Sequence, residues 1–122
     1  MVRDFYWKHT GEGLWIMKEK DLYSVGLTME VLTQLEDITF LDLLSLDEIQ
    51  KDEPFLHVES RKAVHEFPLP LSGKLTKINN KMMDEPELLN ELTWVVMIDS
   101  ISEEEFMKLE HYKPQRMKRK VG

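Results

Sequence analysis

The residues whose types and positions most suggest a chemical role are Arg61 and Lys62, in the stretch "PFLHVESRKAVHEFPLPLSGKL" (residues 54–75). Two runs with strand-like alternation flank this basic pair, which predicts a hairpin with the pair at its tip. A lysine amine held on a stiff hairpin can enter the active site of an acylating enzyme without unfolding any of the chain. The pattern therefore permits covalent modification of Lys62, although most lysines at such positions only solubilise a surface.

A two-residue loop at this tip predicts the cross-strand partners of the hairpin. These partners are Ser60 with Ala63, Glu59 with Val64, His57 with Glu66, and Leu56 with Phe67. They set a histidine against a carboxylate and an aliphatic side chain against an aromatic one, and both kinds of pair are favourable. The mirror-image turn common in such hairpins favours Asn or Gly, so we expect backbone strain at the tip or a longer loop.

The elements around the hairpin are predicted to be mainly β, with three short helices at the margins. Strand patterns occupy residues 14–18, 22–28, 38–44, 54–60, 72–79 and 93–98, and residues 45–53 form a polar connection. Thr28 is expected to cap one helix, and Asp84 to cap a second that has Pro86 in its first turn. Ser102 and Glu105 form a capping box that predicts a third helix over 101–113.

Composition limits the class of protein. A chain of 122 residues builds one domain with a modest core, and the absence of cysteine excludes disulfides, thiolate metal sites and a cysteine nucleophile. No apolar run reaches the roughly 18 residues of a membrane helix, and the start lacks the apolar centre of a signal peptide. We therefore expect a cytoplasmic protein.

Two further kinds of site find little support in the sequence. His57 and His65 lie near Lys62, but they lack a third ligand at a fixed spacing, so no metal site is predicted. Ser60 has no evident base to activate it, so a hydrolase is not predicted either.

The charge is unevenly distributed along the chain. The net charge is −7, yet residues 113–120 hold five of the 16 basic residues and no acid. We divide the chain into a domain at 1–112 and a basic flexible tail at 113–122. The acidic domain should repel nucleic acid, whereas the tail could contact it, which leaves a binding module that uses the basic tail as one alternative.

The hairpin resembles the lipoyl-attachment segment of the glycine cleavage system H-protein family. That segment reads Glu-Ser-x-Lys-Ala, followed later by Pro-x-Ser-Gly. The matching positions here are Glu59, Ser60, Lys62, Ala63, Pro70, Ser72 and Gly73. Matches at "SVGLT", "EDITFLDL", "DEPF" and "INNKMMDEPELLNE" extend the resemblance over residues 12–110.

Other families of carrier proteins have different residues next to the modified lysine. Biotin carriers usually flank it with methionine, and the lipoyl domains of dehydrogenase complexes usually place Asp before it, where this chain has Arg61. The resemblance therefore favours lipoate on Lys62. It implies a lipoyl/biotinyl-type flattened β-barrel (a barrel-sandwich hybrid) of two small sheets with short peripheral helices, and it places Lys62 at one end.

By this resemblance the chain is a carrier and catalyses nothing itself. Lipoate, joined to Lys62 as an amide by a lipoate ligase or a lipoyl synthase, would act as a swinging arm. Glycine decarboxylase would load an aminomethyl group on the arm, aminomethyltransferase would remove it, and dihydrolipoyl dehydrogenase would reoxidise the dithiol. The lack of cysteine fits this chemistry, because a protein thiol would compete for the arm.

Departures from the family pattern concern the surroundings of the arm. Only Glu12 and Trp15 match the family's His-Glu-Trp, and its loop Asp-Pro-Tyr-Gly-Glu-Gly is shortened to residues 92–93. His65 stands where the family has a small residue. We expect Glu12, His65 and Glu66 to lie near the arm.

The same departures favour a divergent H-like protein. The resemblance to such proteins implies a role in redox regulation, together with a lipoate ligase, a macrodomain protein and a sirtuin-type ADP-ribosyltransferase. An acidic side chain would then accept ADP-ribose, and Asp21, Glu36 and Asp37 are the candidates. The alternative is a true H protein that shuttles the aminomethyl group in glycine cleavage.

Overall fold

The computed structural model describes residues 5–114, which form ten strands, three α-helices and one 3₁₀ turn. The strands are β1 (Phe5–His9), β2 (Leu14–Glu19), β3 (Leu22–Leu27), β4 (Ile38–Leu43), β5 (Glu48–Ile49), β6 (Pro54–Ser60), β7 (Val64–Pro68), β8 (Gly73–Ile78), β9 (Trp94–Asp99) and β10 (Glu110–His111). The helices are α1 (Met29–Leu35), α2 (Asn80–Asp84) and α3 (Glu103–Met107), and the 3₁₀ turn is Pro86–Leu88. The mainly β prediction is confirmed. No helix in this range has the length and apolarity to cross a membrane.

Two antiparallel sheets pack around one apolar core. The larger sheet has seven strands in the order β10-β1-β2-β3-β9-β8-β5, and the smaller has three in the order β4-β6-β7. Neither sheet closes on itself, so the architecture is a flattened barrel made of two sheets. The smaller sheet carries the hairpin of Arg61 and Lys62.

Alternation along the strands builds the core from both sheets. The larger sheet contributes Leu14, Ile16, Val25, Leu27, Val95, Val96 and Ile98, and the smaller contributes Leu41, Leu56, Val58 and Phe67. Val95 and Val96 are consecutive and both fully buried, so β9 is covered on both faces. The expected central strand at 93–98 therefore lies inside the sheet, between β3 and β8.

The first helix has the predicted cap. The Thr28 hydroxyl accepts a hydrogen bond from the Val31 N–H at 3.3 Å. The helix ends at Glu36, which adopts a positive φ of 61° and donates its N–H to the Leu32 carbonyl. This reversal directs the chain into β4, beside the tip of the lysine hairpin.

The prediction of a helix capped by Asp84 is wrong. The helix lies earlier in the chain, because the Asn79 side chain accepts a hydrogen bond from the Met82 N–H and so begins α2. Pro86 disfavours helical geometry at the residue before it and cannot donate a helical hydrogen bond. Only a 3₁₀ turn follows.

The third helix begins as predicted but is shorter than expected. The Ser102 hydroxyl accepts a hydrogen bond from the Glu105 N–H at 3.2 Å, which confirms the cap. The helix stops at Met107 because the next residues form β10 and pair with β1, in a register that sets Lys8 opposite His111. Pairing with a distant strand overrides the local helical pattern.

Two other strands were not predicted from the sequence. The polar connection at 45–53 contains β5, which pairs with β8, and the first described residues form β1. The partner of β5 lies more than 20 positions along the chain, whereas β1 pairs with the adjacent β2. Residues 115–122, which make up most of the proposed basic tail at 113–122, lie outside the described residues, so the tail stays a prediction.

A tight contact between Trp15 and Gly26 fixes the packing of the larger sheet. The Trp15 side chain is buried, and its Nε1–H donates to the Glu91 carbonyl at 2.7 Å. A β-carbon at Gly26 would lie 2.3 Å from the indole ring and 2.7 Å from the Thr93 carbonyl oxygen. Glycine is required here by lack of space.

Replacing that glycine tests the contact. Gly26→Ala is expected to lower the free energy of unfolding by about 3 kcal/mol, because ring and backbone must both move. Gly11→Ala is the control: Gly11 has a φ of +85°, but no atom lies within 4 Å of the place that an added methyl group would take, so backbone strain alone should cost about 1 kcal/mol. Denaturant unfolding measures both, and equal losses would contradict the steric argument.

Candidate functional site

The lysine hairpin has the register that the two-residue loop predicted. Leu56 pairs with Phe67, His57 with Glu66, and Glu59 with Val64. The Ser60 N–H donates to the Ala63 carbonyl at 2.9 Å. The turn itself is therefore made by Arg61 and Lys62.

The expectation of strain or a longer loop at the tip is wrong. The non-glycine residues with positive φ in the described chain are Lys20, Glu36, Asp52 and Ser100. Instead of a mirror-image turn, the side chain of Ser60 stabilises the tip. Its hydroxyl accepts hydrogen bonds from the N–H groups of Lys62 and Ala63, both at 3.1 Å. A serine before a tight turn is the local signal that could have predicted this.

Two ion pairs link the tip to the junction of α1 and β4. Lys62 Nζ lies 3.0 Å from Glu36 Oε2, and Arg61 Nη1 lies 3.6 Å from Asp37 Oδ2. The Arg61 N–H also donates to the Asp37 carbonyl at 3.2 Å. Each exposed ion pair contributes about 0–1 kcal/mol, so neither locks the amine away from solvent. The Lys62 side chain is 57% exposed.

A histidine lies between two carboxylates on the outward side of the smaller sheet. His57 Nε2 is 2.8 Å from Glu59 Oε2, and Nδ1 is 3.1 Å from Glu66 Oε2. The hydrogen bonds to Glu59, and secondly to Glu66, raise the pKa of His57 because both favour the imidazolium form. The predicted pair of His57 and Glu66 is confirmed. The bond to Glu59 was missed, although residues two apart in a strand share a face.

The residues expected near an arm separate into two groups. Glu12 and His65 line one cavity of about 200 Å³, together with Phe67, whose ring centroid lies 4.6 Å from that of His65. Glu66 lies on the opposite face of the sheet, against His57. The structure thus brings Glu12 and His65 together and places Glu66 elsewhere.

A second cavity adjoins the first and is bounded by Tyr112. It has a volume of about 270 Å³ and shares Gly11 and Gly13 with the first. The Tyr112 hydroxyl donates to the carboxylate of the fully buried Glu91 and accepts the Met29 N–H at 3.2 Å. Burial, and secondly the bond to Glu91, raise the pKa of Tyr112 to about 12.

Sequence reasoning did not find this pair of Tyr112 and Glu91. The two residues are 21 positions apart, and no local pattern connects them. Glu91 directly precedes the shortened loop at residues 92–93. The C-terminal end of the described chain is therefore attached beside that loop.

The three candidate acceptors of ADP-ribose lie in two places. Glu36 and Asp37 contact the hairpin tip. Asp21 lies in the turn between β2 and β3 and lines a separate cavity with Leu22 and Met97. Within residues 5–114, no three His, Asp or Glu side chains are grouped as metal ligands would be.

Comparison with known proteins gives matches along most of the chain. The family model described as "Glycine cleavage H-protein" matches residues 5–120. A glycine cleavage system H protein of Halalkalibacterium halodurans is 36% identical over 114 residues, which are 87% of this chain and 89% of the relative. A glycine cleavage system H-like protein of Staphylococcus aureus is 31% identical over 100 residues, 79% of this chain and 91% of the relative.

A solved structure supports the architecture. The crystal structure of a glycine cleavage system H protein from Mycobacterium marinum matches with a TM-score of 0.72 at 22% sequence identity. The match covers 84% of this chain and 90% of the solved one. With the two sheets described above, it confirms the predicted lipoyl-type barrel-sandwich fold.

The histidine between two carboxylates gives a pH prediction. The pKa of the His57 imidazole, followed by NMR, should lie above the ordinary value of about 6.5. It should fall in Glu59→Gln and fall less in Glu66→Gln, because Glu59 has the larger effect on this pKa.

The sign of the stability effect follows from the same shift. Because the folded-state pKa is raised, protonated His57 stabilises the fold fully below the unfolded pKa, and this contribution is lost as the pH rises through the folded pKa. As the pH rises from the unfolded pKa to above the folded pKa of His57, the difference in the free energy of unfolding between the unaltered chain and His57→Gln should shrink. A difference independent of pH would contradict the assignment.

Proposed function

The chain belongs to the glycine cleavage H-protein family, and on that premise we propose that Lys62 is the lysine on which it carries lipoate. Members of this family are lipoyl carriers, in which lipoate is covalently attached to a lysine. The observation that supports Lys62 is its geometry, because an exposed amine stands on a two-residue turn that the Ser60 hydroxyl holds. Its neighbours in the motif, Glu59, Arg61 and Ala63, form the turn and the strand end beside it.

Other lysines with defined contacts are less suited to this role. Lys8 is buried, and its Nζ donates to the Met107 carbonyl. Lys18 Nζ donates to the Lys20 carbonyl at 2.6 Å and lies 3.7 Å from Glu103. The Lys62 amine has one exposed ion pair to release, so the residues present fit a covalently attached acyl group.

Acylation changes the charge at the tip. The neutral amine of Lys62 attacks the carbonyl carbon of an activated lipoate, so that an amide C–N bond forms and the bond to the leaving group breaks. The leaving group keeps the electron pair of the broken bond, and the nitrogen gives up a proton to solvent. The amide nitrogen carries no charge, so the ion pair with Glu36 is lost. Bound lipoate supplies a disulfide that can be reduced, loaded and reoxidised.

The cavity at the base of the hairpin is the place in this chain where an arm would make contacts. Glu12 and His65 line it, and we assign them that role. Glu66 takes no part, because it faces the other side of the sheet and contacts His57. The carrier itself needs no catalytic residue, since loading, unloading and reoxidation take place on partner enzymes.

Two sets of partners fit a lipoyl carrier of this family. In glycine cleavage these are glycine decarboxylase, aminomethyltransferase and dihydrolipoyl dehydrogenase, with a lipoate ligase or a lipoyl synthase to attach the arm. This set follows from the family and from relatives named as H proteins. We expect these encounters to take place in the cytoplasm.

The second set serves regulation by ADP-ribosylation, with a sirtuin-type transferase and a macrodomain protein. Two observations favour it as an alternative. A relative with 31% identity is described as H-like, and the carboxylates of Glu36 and Asp37 lie beside the Lys62 tip. The nucleic-acid-binding alternative depends on residues 113–120, most of which lie outside the described part of the chain, and no observation favours it.

Intact mass spectrometry tests the attachment site. After incubation with lipoate, ATP and a lipoate ligase, the unaltered chain should gain one lipoyl group, and Lys62→Arg should gain none. Lys20→Arg is the matched control, because Lys20 is an exposed lysine in the turn between β2 and β3, and this variant should gain the group in full. Lipoylation that survives in Lys62→Arg would refute the assignment.

Labelling with a sirtuin-type ADP-ribosyltransferase and NAD tests the regulatory alternative. If the acceptor lies at the hairpin, Glu36→Gln or Asp37→Asn should remove the label from the lipoylated carrier. Asp21→Asn should leave it, because Asp21 lies in a different turn. Loss of label in Asp21→Asn alone would move the acceptor to that turn.

A further inference from the structure

We propose that the outward side of the smaller sheet is the docking surface for the enzyme that acylates Lys62. This surface, the outer face, consists of Phe40, Asp42, His57, Glu59, Val64 and Glu66. The inference rests on the proposed function, because it concerns recognition of the same lysine. It adds an interaction surface and the chemistry of the partner that fits it.

The row of the outer face nearest the tip contains two apolar side chains with an acid between them. Phe40 pairs with Glu59 on β6, and Glu59 pairs with Val64 on β7. Directly paired residues share one face of a sheet, so the three side chains lie side by side. With strands about 4.8 Å apart, Phe40 and Val64 are separated by about 10 Å. In the sequence, Val64 lies two positions after Lys62, and Glu59 lies three positions before it.

Both apolar side chains of this row are exposed. Phe40 is 46% exposed and Val64 is 61% exposed. The reverse side of the same strands packs into the core through Leu41 and Val58, so the outer face is supported by a rigid sheet. The Phe40 ring meets the His57 ring edge-on at 6.1 Å, which limits its motion. Aromatic residues such as Phe40 are enriched at protein–protein interfaces, and Val64 extends the exposed apolar area beside it.

The charges around the row favour a basic partner. Carboxylates of four residues surround the tip and the row: Glu36, Asp37, Glu59 and Glu66. The cations that face them are Arg61, Lys62 and His57. The whole chain has 23 acidic and 16 basic residues, so the surrounding surface adds to the attraction. We therefore infer a partner surface with Lys or Arg side chains around two apolar pockets.

Geometry selects the acylating enzyme from among the enzymes that act on a carrier. An enzyme that forms a bond to Lys62 Nζ must approach within the length of one lysine side chain. Its active-site rim must therefore cover the strand ends at Glu59 and Val64. An enzyme that acts on the far end of an attached arm has no such requirement. Only the acylation step should depend on the outer face.

Steady-state acylation by a lipoate ligase tests this surface. In the double variant Phe40→Thr/Val64→Thr, the KM for the carrier should rise about tenfold or more, with kcat within about twofold, because anchoring contacts are lost and the chemistry is unchanged. Threonine keeps the strand preference of both positions, and a thermal melt checks the fold. The value of kcat/KM should also fall as salt is added.

A matched control comes from the larger sheet. Tyr6 and Leu22 are an aromatic and an aliphatic residue with exposures of 40% and 37%, and both lie on strands away from the tip. The double variant Tyr6→Thr/Leu22→Thr should leave the KM unchanged. An equal rise in both double variants, or no rise in the first, would overturn the proposal.

A second measurement distinguishes docking of the acylating enzyme from docking of enzymes that act on the attached arm. After exhaustive acylation, dihydrolipoyl dehydrogenase with NADH should reduce the arm of the Phe40→Thr/Val64→Thr variant at the unaltered rate. A matching loss here would assign the outer face to enzymes of the arm in general and refute a docking surface specific to acylation. A dimer of the unaltered chain that this variant dissociates would assign the face to self-association instead. Failure of the unaltered chain to be acylated would refute the proposed function itself, and this inference with it.

Discussion

The hydrogen bonds of the Ser60 hydroxyl are the contacts on which the site depends. By accepting the N–H groups of Lys62 and Ala63, this side chain fixes a turn of two residues. The length of the turn then fixes the pairing of β6 with β7, and a slip of one residue would exchange the two faces of the smaller sheet. The acid and apolar residues of the outer face, and the cavity residues on the other side, keep their places because of it.

The junction of α1 and β4 supports the same tip from the side. Glu36 adopts a positive φ, which costs a non-glycine residue about 1 kcal/mol or more, and its N–H closes the helix on the Leu32 carbonyl. This conformation sets its carboxylate beside Lys62 and allows the backbone of Asp37 to bond that of Arg61. The strained conformation of Glu36 thus ends the helix and also gives the Lys62 amine an acidic neighbour.

The sequence predicted the features that depend on near neighbours. The hairpin register follows from the turn length, and the caps at Thr28 and Ser102 follow from residues three positions away. Lys62 could be singled out from its strand context and its motif. Two of the failures involve distant partners: β10 exists because β1 is beside it, and the contact of Tyr112 with buried Glu91 has no local sequence signal. The acids that meet the tip also required the three-dimensional fold, because helix geometry alone does not place α1 against a hairpin.

The pairing of β1 with β10 has a consequence for the order of assembly during translation. Lys8 and Met107, joined by a hydrogen bond, are 99 positions apart, whereas the lysine hairpin needs only its own short segment. Closing so long a segment is entropically slow, so the nascent chain can form the hairpin while one edge of the larger sheet is still open. An open edge invites pairing with other chains, and a charged lysine on it discourages that pairing. Lys8 lies on this edge. Before β10 pairs with β1, its charge therefore protects the unfinished domain from such pairing, and once folding is complete the same side chain is buried.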